Sequence, residues 1–345
     1  MRAAIKRLTL SAVLIIAVVG CETDRTVSPV RAAGRGLVPS ATTSPTSLVE
    51  HVIAPPTTDA AIDVALDDHF AWLDPGVASN HQLFVYLPGS GGVPANALLI
   101  QQQAARIGYH SIGLSYVSDY SLAQLCTGAS DTNSCFENSH YEIVYGVDAS
   151  PLVDVNRANS VVNRLTKLLQ YLADTYPNEG WTEFLSDGTP RWSQIAFAGI
   201  SQGGGNSAMI AKYHVVARVV LLSAVTDALG ASDCEPTQSW QASHVTSSDR
   251  YWGLAHVRDP FYASICASWR TLGMAAFGPA DTVEASAPPY GGTHMLITDL
   301  RPQRGGYKEA HTSTAIDFYT PLNKDGSPAL GDAWSYMLSA PIKSQ

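Results

Sequence analysis

Apolar residues in this chain cluster in short, nearly continuous runs separated by longer stretches with helical spacing. Leu83-Phe84-Val85-Tyr86-Leu87 is one such run and stops at Pro88-Gly89. Further runs cover Gln194 to Ala198, Arg218 to Ala224, Tyr251 to Val257 and His294 to Leu300, and His110 to Val117 reads as another strand. Between them, Ala95 to Ile107 and Phe261 to Leu272 have the composition of helices. Val161, Val162, Leu165, Leu168, Leu169 and Leu172 recur at helical spacing between Asn156 and Tyr176, where Pro177 ends the run. Strands that are apolar at every position are covered on both faces. Alternated with helices, they predict an α/β fold with a mainly parallel central sheet and helices on both sides.

The two ends of the pattern differ from its middle. Arg2, Lys6 and Arg7 precede an apolar stretch from Leu8 to Val19 that ends in Val18-Val19-Gly20-Cys21, too short for a permanent membrane span. This resembles a bacterial lipobox. The resemblance implies a signal peptide over 1–20, acylation of Cys21, and export to the bacterial cell envelope on a lipid anchor. Residues 21–48 are rich in Ser, Thr, Pro and Val without periodicity and read as a flexible tether. Residues 49–345 then form one α/β domain, since no second linker interrupts the alternation.

Charge and cysteine usage narrow the partners. The chain has 21 Lys+Arg against 30 Asp+Glu, a formal charge of −9, and loss of the three cations in residues 1–20 makes it −12. Such an acidic domain repels phosphate backbones, so nucleic acid is not an expected partner. Apart from Cys21 the cysteines are Cys126, Cys135, Cys234 and Cys266, an even number that in an oxidising compartment predicts two disulfides. The polar, turn-rich loop between Cys126 and Cys135 closes easily, which favours 126 with 135 and 234 with 266. No C-x-x-C pair with nearby histidines points to a metal site.

Candidate chemistry centres on Gly199-Ile200-Ser201-Gln202-Gly203, set between a strand and the helix-compatible stretch Asn206 to Ala211. In such a nucleophile elbow a cramped turn lifts the serine hydroxyl out of the fold, and the next amide, at a helix N-terminus, faces the substrate oxygen. A serine needs a histidine to take its proton and a carboxylate to orient that histidine. Four segments, Leu87-Pro88-Gly89-Ser90-Gly91-Gly92, Ser201-Gln202-Gly203-Gly204-Gly205, Ala255-His256-Val257-Arg258-Asp259 and Ala310-His311-Thr312-Ser313-Thr314, together with the element order over roughly 60–340, resemble the α/β-hydrolase family. Within it they resemble secreted bacterial serine hydrolases.

The resemblance implies a Ser201, Asp259, His311 triad, with Asp227 as the alternative acid and His294 as the alternative base. The losing carboxylate is expected to cap a helix or accept backbone hydrogen bonds. It also implies an oxyanion hole from the Gln202 amide and an amide of Ser90 or Gly91, without deciding between those two. It further implies hydrolysis of a small-molecule or polymeric carboxylic ester through an acyl enzyme, with no metal or cofactor. The run after the serine is also similar to cutinase-like and polyester-degrading enzymes. The chain departs from them in a cysteine-containing insert over 118–150, whose Tyr120, Phe136, Tyr141 and Tyr145 are expected to bear on substrate choice. Lipase, polyester hydrolase and amidase activities fit the same motifs, as does acyl transfer. A hydrolase scaffold used by a surface lipoprotein only to bind a ligand is the reading from a different class.

Overall fold

A computed structural model describes residues 48–236 and 239–342. The expected signal peptide, Cys21 and the tether up to residue 47 lie outside the described residues. In chain order the regular elements begin with β1 (Val49–Ile53), α1 (Pro55–Thr58), β2 (His69–Leu73), β3 (Leu83–Leu87), α2 (Leu98–Arg106) and β4 (His110–Gly113). They continue through α3 (Leu122–Leu125), α4 (Thr132–Tyr145), α5 (Val161–Thr175) and a small ribbon of β5 (Leu185–Ser186) and β6 (Thr189–Pro190). Then come β7 (Ile195–Ile200), α6 (Gln202–Tyr213), β8 (Arg218–Leu222), β9 (Tyr251–His256), α7 (Tyr262–Thr271), β10 (Asp281–Thr282), β11 (Met295–Thr298) and α8 (Gly331–Ser339).

The main sheet has nine strands in the order β1-β2-β4-β3-β7-β8-β9-β11-β10. From β4 to β10 every neighbouring pair is parallel, and β1 and β2 add an antiparallel edge. The expected mainly parallel sheet with helices on both faces is therefore present, and the antiparallel edge is an addition that the apolar runs did not signal.

Alternation along the strands explains why those runs are continuous. Leu83, Val85 and Leu87 of β3, with Ile195 and Phe197 of β7 and Val219 and Leu221 of β8, point into one buried cluster. There they meet Leu165, Leu168 and Leu172 of α5, Met209 of α6 and Ile265 and Trp269 of α7. The intervening residues, Phe84 and Tyr86, Ala196 and Ala198, Val220 and Leu222, point into a second cluster with Ile100 and Ala104 of α2 and Trp334 and Met337 of α8. Side chains alternate with period two, so a strand buried on both faces is apolar along its length except where a buried polar group finds a partner.

Of the polar groups buried in this scaffold, two brace its antiparallel edge. Arg164 of α5 is fully buried, and its guanidinium donates to the carbonyls of Val64, Ala65 and Asn159 and to the Asn159 side chain. It holds the chain before β2 against the end of β4, and burial lowers its pKa to about 10. His69, at the start of β2, is also fully buried, and its Nδ1 accepts the Ser115 N–H at 2.9 Å, a bond that only the neutral ring can make. Burial, with the neighbouring Arg164 cation second, holds its pKa down to about 3. A histidine depressed in the fold contributes stability that is complete above the unfolded value near 6.5 and is lost as pH falls towards about 3. Denaturant titrations at stepped pH should therefore show His69 costing about 1.4 kcal/mol per pH unit below 6. A His69→Phe protein should be less stable at pH 7 but show a flatter decline. Equal slopes in the two proteins would mean that His69 titrates normally.

Both expected disulfides are present, Cys126 to Cys135 with a Cα separation of 5.7 Å and Cys234 to Cys266 with 4.9 Å. The first closes the turn between α3 and α4. The second fastens the loop after β8 to α7. No described helix is long and apolar enough to cross a membrane.

Candidate active site

Parallel strands deliver their C-terminal ends to one edge of the sheet, and the loops that leave there converge. The loop after β3, the turn after β7 and the segments after β8, β9 and β11 all contribute to a cleft of about 360 Å³. Gly89 to Gly92, Ile200, Ser201, Thr226, Phe261 and His311 are among its lining residues.

Ser201 occupies the step between β7 and α6 with φ 52° and ψ −123°, a conformation that costs a non-glycine residue on the order of 1–3 kcal/mol. The surroundings enforce it. Ser201 donates its N–H to Leu222 O of β8, while its carbonyl accepts from Gly204 and Gly205 in the first turn of α6. The glycines around it each answer to a close neighbour. A Cβ on Gly203 would stand 2.1 Å from Leu87 O, one on Gly199 2.2 Å from the Gly203 carbonyl carbon, and one on Gly204 2.2 Å from the Ala224 Cβ. The turn is thus wedged between the ends of β3 and β8, and only glycine lets it close.

His311 follows β11 and lies in the cleft wall with Ser201. Its Nδ1 donates to Asp259 Oδ2 at 2.7 Å, and the other carboxylate oxygen, Oδ1, accepts the Phe261 N–H at 2.8 Å. Asp259, at the end of β9 and before α7, has no solvent-accessible side chain, whereas the His311 side chain is 18% exposed. With Nδ1 taken by the carboxylate, Nε2 is the nitrogen left to exchange a proton, and the Phe261 ring edge at 5.2 Å limits how far the imidazole can turn.

The alternative residues sit elsewhere. His294, at the threshold of β11 and so at the opposite edge of the sheet, is stacked between Trp252 and Phe277 at 4.4 and 3.9 Å and donates from Nδ1 to Tyr251 O. Among the described residues Asp227 neither caps a helix nor accepts from a backbone amide, as a spare loop carboxylate was expected to do. It is buried, accepts the Trp240 indole N–H at 2.9 Å and lies 3.2 Å from His140 Nε2. His140 fills the space that the absent side chain of Gly205 leaves, since a Cβ there would lie 2.4 Å from its ring. The third glycine after the serine was the sequence signal for this contact, because the turn itself does not require it.

In the loop after β3 the Ser90 and Gly91 amides differ in what they bind. Gly91, at φ 65°, donates its N–H to Ser118 O, and Gly92 donates to Gly89 O. Among the described residues the Ser90 and Gln202 backbone N–H groups have no acceptor, the latter because the first residue of a helix has none within the helix. These two amides, unlike that of Gly91, are left with their donor capacity unused among the described residues. The Gln202 side chain fixes their relation, since its Oε1 accepts from Ser90 Oγ at 2.8 Å and from Leu122 N at 3.3 Å. Sequence reasoning missed the supports behind the loop. Tyr116 donates its hydroxyl to Pro88 O, and Ser118 donates its own to Gly92 O.

The insert contributes differently from the expectation. Ser121 and Ala123 line the cleft, but none of Tyr120, Phe136, Tyr141 and Tyr145 does. Phe136 is buried in the core, and Tyr120 uses its hydroxyl to accept the Asp154 N–H. Bulky aromatic residues in a helix-forming stretch found partners on neighbouring helices, and the two short residues at its start remained by the cleft. His311 is the sole ionisable group among the lining residues, and no metal-holding cluster of His, Cys, Asp or Glu occurs among the described residues. Comparison of the chain with protein-family models and with curated proteins finds no match.

Proposed function

We propose that this chain is a serine hydrolase of the α/β-hydrolase fold that cleaves carboxylic esters through an acyl enzyme. The observation that carries the reading is the His311 to Asp259 hydrogen bond of 2.7 Å in a cleft wall shared with a strained Ser201. Ser201 Oγ attacks the ester carbonyl and passes its proton to His311 Nε2, while Asp259 holds the tautomer and stabilises the cation that forms. The Gln202 and Ser90 amides donate to the oxyanion of the tetrahedral intermediate. His311 then protonates the departing alkoxide, and water, deprotonated by the same imidazole, releases the acid.

The cleft also bears on the substrate. About 360 Å³ walled by Ala123, Ile200, Thr226, Phe261 and Ile316, with no carboxylate or fixed cation, suits a short, uncharged acyl group. Hydrolysis of p-nitrophenyl esters from acetate to palmitate should give kcat/KM at least about tenfold higher for acetate and butyrate than for palmitate. A rise towards palmitate would point to a lipid-like substrate. Labelling by a fluorophosphonate, which demands an activated hydroxyl, separates any such enzyme from a non-catalytic binding protein. Absence of both labelling and ester hydrolysis would leave the binding reading standing.

Export completes the proposal. Two disulfides suit an oxidising compartment, and the lipobox-like end at Cys21 suits a lipid anchor in the cell envelope. Cys21→Ala should release the protein from the membrane fraction, and unchanged membrane association and processing would exclude lipidation.

A further inference from the structure

At the opposite edge of the sheet from Ser201, a cavity of about 470 Å³ opens beside α4, α5, β6 and the end of α6. Trp192, in its wall, stands just before β7, while Ser201 stands just after it. Six strand residues at about 3.3 Å each put the two sites roughly 20 Å apart, so this cavity is no extension of the cleft.

Three of its walls are aromatic, and their orientations are already fixed. The Tyr141 and Tyr145 rings lie 4.9 Å apart, and Tyr213 meets Tyr141 at 5.5 Å and Tyr145 at 5.9 Å, both edge-on. Trp192 is stacked on His214 at 4.2 Å. Rings held this way lose little freedom when a ligand arrives.

The same cavity gathers polar groups that the protein does not use. Among the described residues the Arg157 guanidinium makes no ion pair or hydrogen bond. Asn163 donates its amide nitrogen to Asp59 and to Ala158 O, and its Oδ1 has no partner there. Thr166 donates to Val162 O and keeps its acceptor lone pairs.

This combination selects among occupants. A purely apolar ligand would displace water from the Asn163 Oδ1 and the Arg157 guanidinium without replacing its hydrogen bonds, at a cost for each. A cation would be repelled by Arg157, the sole carrier of a fixed charge among the lining residues. A pyranose ring presents C–H faces to aromatic rings and hydroxyls around its rim to the Asn163 and Thr166 oxygens and the Arg157 guanidinium. We infer that this cavity is a saccharide-binding site, separate from the Ser201 cleft and independent of the chemistry there.

Calorimetric titration of the full exported chain carrying Ser201→Ala with xylohexaose, chitohexaose and trigalacturonic acid tests the inference. At least one of the three should bind, and Tyr141→Ala and Arg157→Ala should each weaken that binding about tenfold or more. Both residues are at least partly exposed, and thermal melts unchanged by the substitutions would show that the fold is intact. Should Tyr141→Ala unfold the protein, Arg157→Ala alone decides. No binding by any of the three at millimolar concentration overturns the inference, as does binding that the variants leave unchanged.

Discussion

Replacing Ser201 by alanine should lower kcat on p-nitrophenyl acetate by about a millionfold and abolish fluorophosphonate labelling, with the melting temperature nearly unchanged. Alanine keeps the Cβ, so the strain at φ 52° stays as it is and only the hydroxyl is removed. The Ser90 and Gln202 amides remain, and they would sustain a small residual rate over water. His311→Ala should fall to a similar level, and the double variant little further, because a nucleophile without its base and a base without its nucleophile fail at the same step. A Ser201→Ala protein that still turned over the ester near the native rate would end the acyl-enzyme proposal.

The second large effect separates the two candidate acids. Asp259→Asn should cost about 10⁴-fold in kcat, because an amide facing His311 Nδ1 favours the tautomer that leaves Nε2 already protonated and unable to accept. The loss should lie in kcat, with KM little changed. Asp227→Ala should behave in the opposite way. It removes the acceptor of the Trp240 indole and the neighbour of His140, so it should destabilise the fold by about 1–3 kcal/mol while kcat in the surviving folded protein drops far less. Kinetics and denaturant titrations on both variants check the assignment, and a 10⁴-fold loss in Asp227→Ala with a normal Asp259→Asn would reverse it.

Much of this arrangement was legible in the chain because it depends on local pattern. Leu83 to Leu87 reads as a strand since every residue in it faces one core or the other, and α5 reads as a helix since Leu165, Leu168 and Leu172 share a face. What depended on distant partners was not legible. The run His110 to Val117 is apolar enough for one strand, yet pairing ends at Gly113. Leu114 still donates its N–H to Tyr86 O of β3, and the residues beyond it leave the sheet to hold the loop after β3, through Tyr116 to Pro88 O. That departure also uses up the Gly91 amide, which is why Ser90 and Gly91 could not be told apart in sequence. Strand β1 was missed because it alternates exposed and half-buried positions over five residues, with only Ile53 buried. β2 was missed because its apolar run, Phe70 to Leu73, is short and closely flanked by Asp67, Asp68, His69 and Asp74. The aromatic residues of the insert misled for a related reason, since chemistry alone does not say which face of α4 they occupy.

Both disulfides lie outside the sheet, one in the insert that supplies Ser121 and Ala123 to the cleft and one between the loop carrying Asp227 and the helix after Asp259. Production of the protein therefore divides into two tasks. A reducing cytoplasm allows the strands and their helices to assemble, but leaves the two walls of the cleft without their covalent fastening and open to protease. On the proposed chemistry, a preparation from such a host should hydrolyse p-nitrophenyl acetate more slowly than an oxidised one. The oxidation state of four thiols is thus a quality measure to make before any rate is compared between laboratories.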